Sequence, residues 1–381
     1  MKKIEFGVGD KEWLRKFENR LLFALYVAYL EARKGGKRGT KDEHRFELNA
    51  DENLIKLRDD ILAKTYRPSR STAHIIHNPV IREIFAATFR DRVVHHLIFD
   101  TVYDWWDKRF IYDSYSCRVG KGTLMGIQRL DYHIRAASEN YKKEVYVLKM
   151  DIQGYFMSLP RRDLYERAMW GLDRQFVGRR DTKEYELLKF LWYQTIMDDP
   201  IHGVRKRGSL KGWTELPDSK SLFKQEPGKG IVIGNLTSQL LSNVYLDMLD
   251  RFIVYDLGYK HYGRYVDDFY IVVDETQVAQ LKKDIKAIEM FLATKKLTLH
   301  PRKRSLRKSA QGVPFLGAVV YNNHIVMGDR LKKNIRIACR EVMMGIRDER
   351  TVISYMGHTK YMDSAVMLEK LFAEVGWEYE I

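Results

Sequence analysis

Carboxylates placed side by side at the end of an apolar strand restrict what this chain can become. Tyr265-Val266-Asp267-Asp268 stands between an aromatic stretch, residues 260–265, and an apolar one, residues 269–273, a pattern that predicts the tip of a β-hairpin. Neighbouring carboxylates repel and Asp is a poor strand former, so packing alone gains little from this placement. A solvated acidic turn is one reading and a cation site is the other. A second apolar strand, over residues 145–150, also ends on an aspartate, in Lys149-Met150-Asp151. Three carboxylates at two strand ends can hold two divalent cations, the arrangement that stabilises the attacking and leaving oxygens of phosphoryl transfer.

Charge points the same way. Lys and Arg number 66 against 51 Asp and Glu, a net +15 that suits a polyanionic partner such as nucleic acid, although an ordinary basic protein shares it. At 381 residues the chain can bury a substantial core and is expected to form two or three subdomains. Cys117 and Cys339 are too few and too far apart for a disulfide framework or a zinc site, and both are expected to be reduced core thiols. The opening Met1-Lys2-Lys3-Ile4-Glu5 lacks the apolar run of a signal peptide, and the apolar stretch at 21–30 is too short to span a bilayer. A cytoplasmic protein without membrane association is expected.

Apolar residues at helical spacing predict helices over 13–33 and 53–64. Between them, residues 33–41 form a basic, glycine-rich loop that either grips phosphates or is a solvated linker. Residues 73–84 read as two short strands turning at Asn78-Pro79, with Arg82 on the returning strand. A helix over 87–103 carries Arg90-Asp91-Arg92 and the adjacent His95 and His96; neighbouring helical side chains diverge, so buried packing or RNA contact suits this pair better than metal ligation. Residues 110–123 mix aromatics, basic residues and glycines ahead of a helix over 124–139, and read either as a loop that cradles phosphate or stacks a base, or as an ordinary one.

Past Asp151, helices are predicted at 161–170 and 183–196. Residues 199–230 carry Gly203, Gly208, Gly212, Pro217, Pro227, Gly228 and Gly230 without periodicity, and an irregular insertion of this length is expected to be functional or mobile. Ile231-Val232-Ile233-Gly234-Asn235-Leu236-Thr237-Ser238-Gln239 predicts a glycine turn leading into a long helix that ends at Leu257, where backbone can approach a ligand closely. Beyond the aspartate hairpin come a helix at 277–295, a strand at 297–299 and a dense basic run at 300–308. A hairpin of residues 315–320 and 324–326 turning at Asn322-Asn323 follows, then three helices between 329 and 373 with breaks near Asp348 and Gly357-His358.

These motifs, in this order, resemble those of a reverse transcriptase: Lys149-Met150-Asp151-Ile152-Gln153-Gly154-Tyr155-Phe156, the Gly234 turn with its long helix, Tyr265-Val266-Asp267-Asp268, and Phe315-Leu316-Gly317. The resemblance covers roughly residues 40–360. Within the superfamily, retroviral and group II intron enzymes usually begin the Gly234 turn with Gln-Gly and end it with Ser-Pro. This chain has Ile233-Gly234 and Ser238-Gln239 there, and is similar in this to the reverse transcriptases of diversity-generating retroelements. Arg90-Asp91-Arg92-Val93-Val94-His95-His96 and Phe110-Ile111-Tyr112-Asp113-Ser114-Tyr115 resemble the wider bacterial group.

The resemblance implies an α+β right-hand polymerase fold: an N-terminal extension and fingers over 1–143, a palm of antiparallel sheet and helices over 144–312 with the insertion 199–230 and returning finger elements, and a palm-thumb hairpin with a helical thumb over 313–381. It implies an RNA-directed DNA polymerase that copies a template-repeat RNA into cDNA from a primer and dNTPs. Its errors would concentrate at template adenines and rewrite a target gene's variable region, and an oligomeric accessory variability protein would bind it. Asp151, Asp267 and Asp268 would hold two Mg²⁺ ions, for which Mn²⁺ would substitute, with Asp267 the surer ligand of the pair and the Ile152 carbonyl a neutral one.

Tyr155 would pack under the nucleotide sugar, with Phe156 as the fallback; both as core is the alternative, and if the strand continued this far only one of the two would face the nucleotide. Arg82 would grip the triphosphate, with Lys64 and Arg70 as further basic candidates, and Lys303 would act as general acid for the leaving pyrophosphate or be a solvated charge. Ile233 replaces an amide that would police base-pair geometry, which implies lower fidelity, or it packs on the palm. Gly234, Asn235 and Gln239 complete the substrate-binding candidates. Retron, CRISPR-associated and phage-defence reverse transcriptases are the enzymatic alternatives, and a non-catalytic RNA-binding protein is the other. Clustered carboxylates argue against the last, because without cations they would repel an RNA backbone.

Overall fold

The computed structural model describes residues 16–34, 39–77 and 80–377. The chain begins with α1 (Phe17–Ala32), α2 (Lys41–Glu47), α3 (Ala50–Leu62), β1 (Thr72–Ile76), β2 (Arg82–Ala86), α4 (Phe89–Asp107) and α5 (Thr123–Ala137). It continues through β3 (Val145–Asp151), α6 (Tyr155–Ser158), α7 (Arg161–Gln175), α8 (Lys183–Met197), β4 (Arg205–Arg207), α9 (Leu210–Glu215) and α10 (Leu236–Arg251). Then come β5 (Tyr262–Tyr265), β6 (Asp268–Asp274), α11 (Val278–Thr294), β7 (Ser305–Lys308), β8 (Val313–Phe315), β9 (Ala318–Val320) and β10 (Ile325–Met327). The helices α12 (Asp329–Met343), α13 (Arg350–Thr359) and α14 (Ala365–Val375) end it. No helix among the described residues is long and apolar enough to cross a membrane.

The elements form two interleaved units. The first holds the described residues up to Phe110 together with Gln153–Met248. Here α1, α3 and α4 share a core built from Leu25 and Ala28, Leu54, Leu57 and Ile61, and Val94 and Ile98, each set at helical spacing. Within the Arg90-Asp91-Arg92 motif the aspartate is structural: its carboxylate accepts from the Thr88 hydroxyl at 2.7 Å, the Ser69 amide at 2.8 Å and the Tyr66 hydroxyl at 2.9 Å. That fixes the N-terminus of α4 to the segment leading into β1. His95 is buried, its Nδ1 2.8 Å from the Thr237 hydroxyl, and burial pushes its pKa down to about 4, so it is neutral packing.

The second unit holds Ile111–Ile152 and the described residues from Leu249 on. Its main sheet runs β5-β6-β3-β7, all antiparallel. Central β6 is buried from Phe269 to Val273, which accounts for its unbroken apolar run. Ile127, Leu130 and Ile134 of α5 pack against Val145, Val147, Tyr270 and Val272 of this sheet. A second sheet, β10-β9-β8, stands beside it, and α12 to α14 close on a small core of Ile335, Ala338, Cys339, Val352, Leu371 and Phe372.

Several expectations change. The insertion 199–230 is ordered: it contains β4, α9 and two short 3₁₀ turns, and the buried Glu83 carboxylate accepts the Leu222 amide at 2.6 Å. Helix α2 has too short an apolar pattern to be read from sequence. The strand at 297–299 reduces to one bridge between Leu299 and Ile152. Residues 315–320 are not one strand, because Leu316 and Gly317 both take positive φ, 50° and 92°, and form the turn between β8 and β9. The long helix ends at Arg251 and passes into a π-helical turn, Phe252–Asp256. The break expected at Gly357-His358 falls after Thr359 instead. Cys339 is buried as expected, whereas Cys117 is exposed, on a loop with positive φ. The Asn78-Pro79 turn, residues 13–15 of the first helix, residues 35–38 of the basic loop and residues 378–381 lie outside the described residues.

Candidate active site

Strand register builds the site. β3 and β6 pair so that Asp151 lies directly opposite Asp268, and β5 and β6 pair so that Tyr265 also lies opposite Asp268. Val266 and Asp267 are therefore the whole turn of a two-residue hairpin. Val266 has φ +56°, a conformation that a β-branched residue adopts only under constraint. The Ile152 amide donates to the Asp267 carbonyl at 3.1 Å, which ties the turn to the end of β3.

Three carboxylates thus meet at one end of the sheet. Like charges facing each other across strands are destabilising. Burial, reinforced by the Asp151 charge, pushes the Asp267 carboxyl up to about 6. The Asp268 carboxyl is also raised, by burial first and by Asp151, against the lowering pull of Lys149. Two ammonium groups offset part of the charge: Lys303 Nζ stands 2.8 Å from Asp151 Oδ2, and Lys149 Nζ 3.4 Å from Asp268 Oδ2. The donor set, all carboxylate oxygen with a backbone carbonyl at hand, fits hard divalent cations such as Mg²⁺ or Mn²⁺.

What holds the turn is absent from the sequence expectations. Arg264, fully buried on β5, gives Nε and Nη2 to the two oxygens of buried Asp250, each at 2.6 Å. Its Nη1 donates to the Val266 carbonyl at 2.9 Å, and the Tyr262 hydroxyl donates to Asp250 at 2.6 Å. One signal could have found it: arginine in a strand whose neighbours are buried requires an acid, and Asp250 lies on the preceding helix. Lys149, on the same face of β3 as Asp151, is equally readable from strand alternation.

The other predicted residues belong to the first unit. The Phe85 amide donates to the Ile233 carbonyl at 2.9 Å, so the turn ahead of α10 is bonded to β2, the strand that Arg82 begins. Gly234 has φ +128°, and a Cβ there would lie 2.5 Å from the Phe85 carbonyl oxygen, so only glycine fits. Ile233 packs at the margin of an apolar cluster of Ala73, Phe85, Met157, Leu222 and Val232. Asn235 is half-buried, while Gln239 and Arg82 are exposed. Lys64 pairs with Glu186 at 3.4 Å.

Tyr155 departs from expectation. It opens the short helix α6 rather than extending β3, is 2% exposed, and donates its hydroxyl to the Ser242 carbonyl at 2.7 Å. It is a core residue, and half-buried Phe156 is the aromatic of the pair that retains surface.

The reverse transcriptase (RNA-dependent DNA polymerase) family matches the chain over residues 77–320. No curated protein matches it. Among solved structures, a telomerase from Candida albicans, in complex with a TWJ fragment of telomeric RNA, aligns with 10% identity and a TM-score of 0.49, over 82% of this chain and 57% of the telomerase chain. The chain thus spans little more than half the length of that telomerase.

Proposed function

Because this chain belongs to the reverse transcriptase family, we propose that it is an RNA-directed DNA polymerase extending a primer on an RNA template with dNTPs. The observation that carries this reading is the meeting of Asp151, Asp267 and Asp268 at the ends of β3 and β6, where burial and mutual repulsion leave negative charge in need of cations. The palm then corresponds to the β5-β6-β3-β7 sheet, the thumb to α12–α14 and the fingers to the β2-β1-β4 sheet.

Asp151, Asp267 and Asp268, with the Ile152 carbonyl, would hold two divalent cations. When bound, such ions supply charge neutralisation to a triphosphate and acidify the primer 3′-hydroxyl. The chain's own residues do the rest. Arg264 fixes the turn that carries Asp267. Lys303, exposed but 2.8 Å from Asp151, is poised to give a proton to the departing pyrophosphate. Arg82 binds phosphate oxygens through its planar fork. Phe156, rather than Tyr155, takes the position against the nucleotide sugar.

We further propose that the enzyme serves a diversity-generating retroelement, copying a template-repeat RNA with errors at adenines in the company of an oligomeric accessory protein. The turn Ile233-Gly234-Asn235-Leu236-Thr237-Ser238-Gln239 supports it, since an aliphatic side chain replaces the amide found elsewhere in the superfamily. The test is primer extension on an RNA template with Mg²⁺ and dNTPs, with and without the accessory protein, followed by product sequencing. Extension lost in Asp267→Asn supports the polymerase reading, and errors mostly opposite adenines support the retroelement. Accurate extension points to another reverse transcriptase lineage, and RNA binding without extension to a non-catalytic role.

A further inference from the structure

The insertion 199–230 adds a strand to the fingers sheet, and register shows which way its side chains point. β4 joins β1 in parallel, with Thr72 opposite Arg205, Ala73 opposite Lys206 and His74 opposite Arg207. β2 joins the other edge, with Ile76 opposite Arg82, Ile75 opposite Glu83 and Ala73 opposite Phe85. Residues paired across strands share a face, and the face alternates along each strand. The inner face is fixed by its contacts: Phe85 stacks on Phe223 at 5.8 Å, and Lys206 Nζ lies 3.9 Å from the same ring centre. Arg82, Arg205 and Arg207 therefore all stand on the opposite, outer face, and all three are exposed.

That face carries no acid. The sheet's one carboxylate, Glu83, is on the inner side, and none of the three arginines forms an ion pair among the described residues. We propose that Arg205 and Arg207 extend the phosphate-binding surface begun by Arg82 into a track for the backbone of the template strand, an inference that rests on the polymerase reading above. Spacing favours a strand over a single triphosphate. Arg205 and Arg207 are two strand residues apart, roughly 6.6 Å; Arg82, opposite Ile76, lies two strands away, roughly 9.6 Å across the sheet, and a further two residues, roughly 6.6 Å, beyond Arg207 along it. A single triphosphate is shorter than this span, whereas successive phosphates of an extended strand can meet all three arginines. Guanidinium forks bind phosphate oxygens in pairs, and each neutralised phosphate of a single strand releases counterions.

The test is fluorescence anisotropy of a labelled single-stranded template RNA with the full chain and with Arg205→Ala/Arg207→Ala, over a salt series. Two lost phosphate contacts should make the slope of log affinity against log salt shallower by about 1.4 and weaken binding several-fold at low salt. Arg205→Lys/Arg207→Lys should restore most of the slope, and in primer extension the alanine variant should raise KM for template more than KM for dNTP. An unchanged slope overturns the proposal. So does a raised KM for dNTP with template affinity intact, which would give the arginines to the triphosphate. Should the wild-type chain bind RNA with the expected slope but never extend a primer, the polymerase reading falls while the track stands.

Discussion

Arg264→Met, alone and together with Asp250→Asn, separates what the buried ion pair does for stability from what it does for the turn. In the wild type, Arg264 and Asp250 are fully buried and joined by two bonds of 2.6 Å. Removing only the guanidinium strands the Asp250 carboxylate in a dry site, at a cost of about 3–5 kcal/mol. For a unit of 150–250 residues each kcal/mol moves a melting midpoint by about 2–4 °C, so Arg264→Met should lower it by roughly 6–20 °C. In the double variant no charge is left unpaired, and the carboxamide oxygen introduced by Asp250→Asn can still accept the Tyr262 hydroxyl, so most of that loss should be recovered. The Val266 carbonyl, however, loses the Arg264 donor in either variant. Its φ of +56° then loses this support, although the Ile152 bond to the Asp267 carbonyl remains; Asp267 is held less firmly, and primer extension should stay down about tenfold, equivalent to about 1.4 kcal/mol of barrier. Thermal unfolding by circular dichroism and single-turnover extension at saturating Mg²⁺ read the two effects. A double variant that regains both stability and rate would refute the clamp, and a single variant within about 1 kcal/mol of wild type would refute the burial argument.

Asp267 makes stability depend on pH with a defined sign. Its folded pKa, about 6 against an ordinary 3.8, means the fold binds this proton more tightly than the unfolded chain does. Without metal, its contribution is therefore fullest below pH 4 and is lost as pH rises through 6, a change of about 3 kcal/mol. In EDTA, Asp267→Asn should flatten this fall and be the more stable protein at pH 7.5, while Mg²⁺ should raise the melting midpoint of the wild type alone; parallel pH curves for the two proteins would contradict the assignment. Gly234→Ala drives a Cβ to within 2.5 Å of the Phe85 carbonyl, in a conformation that costs an L-residue about 1–3 kcal/mol. It should displace the end of β2 around Phe85 and raise KM for dNTP, and a variant with wild-type melting and kinetics would show that the turn adapts. Ile233→Gln should reduce misincorporation opposite adenine in sequenced products, and an unchanged error spectrum would leave Ile233 as a packing residue only.

The acidic site is more legible in the sequence than the residues that support it. Apolar β3 and β6 announce themselves by residue type, and a terminal aspartate is conspicuous there, so Asp151, Asp267 and Asp268 stand out. Arg264 does not, because its meaning depends on Asp250, which comes close only once the helix and strand are packed. β4 is invisible for a related reason: Arg205-Lys206-Arg207 has no apolar alternation, and its partner β1 lies far upstream. For Tyr155 the resemblance points to an aromatic pair, and only the backbone decides which ring keeps surface: left-handed Gly154 ends the extended chain and starts α6, which buries Tyr155. The Leu316-Gly317 turn is hidden by leucine in a conformation that usually selects glycine or asparagine.

The parallel pairing of β4 with β1 also has a consequence for biosynthesis. Arg205 follows its partner Thr72 by about 130 residues, which at ribosomal rates of about 5–20 residues per second is roughly 7–26 s of elongation. During that interval β1 and β2 can already zip into a hairpin, yet the outer edge of β1 offers unsatisfied amides and carbonyls to any other nascent strand nearby. The late-arriving insertion is thus an edge cover, and deleting it would endanger the yield of folded polypeptide before it touched catalysis.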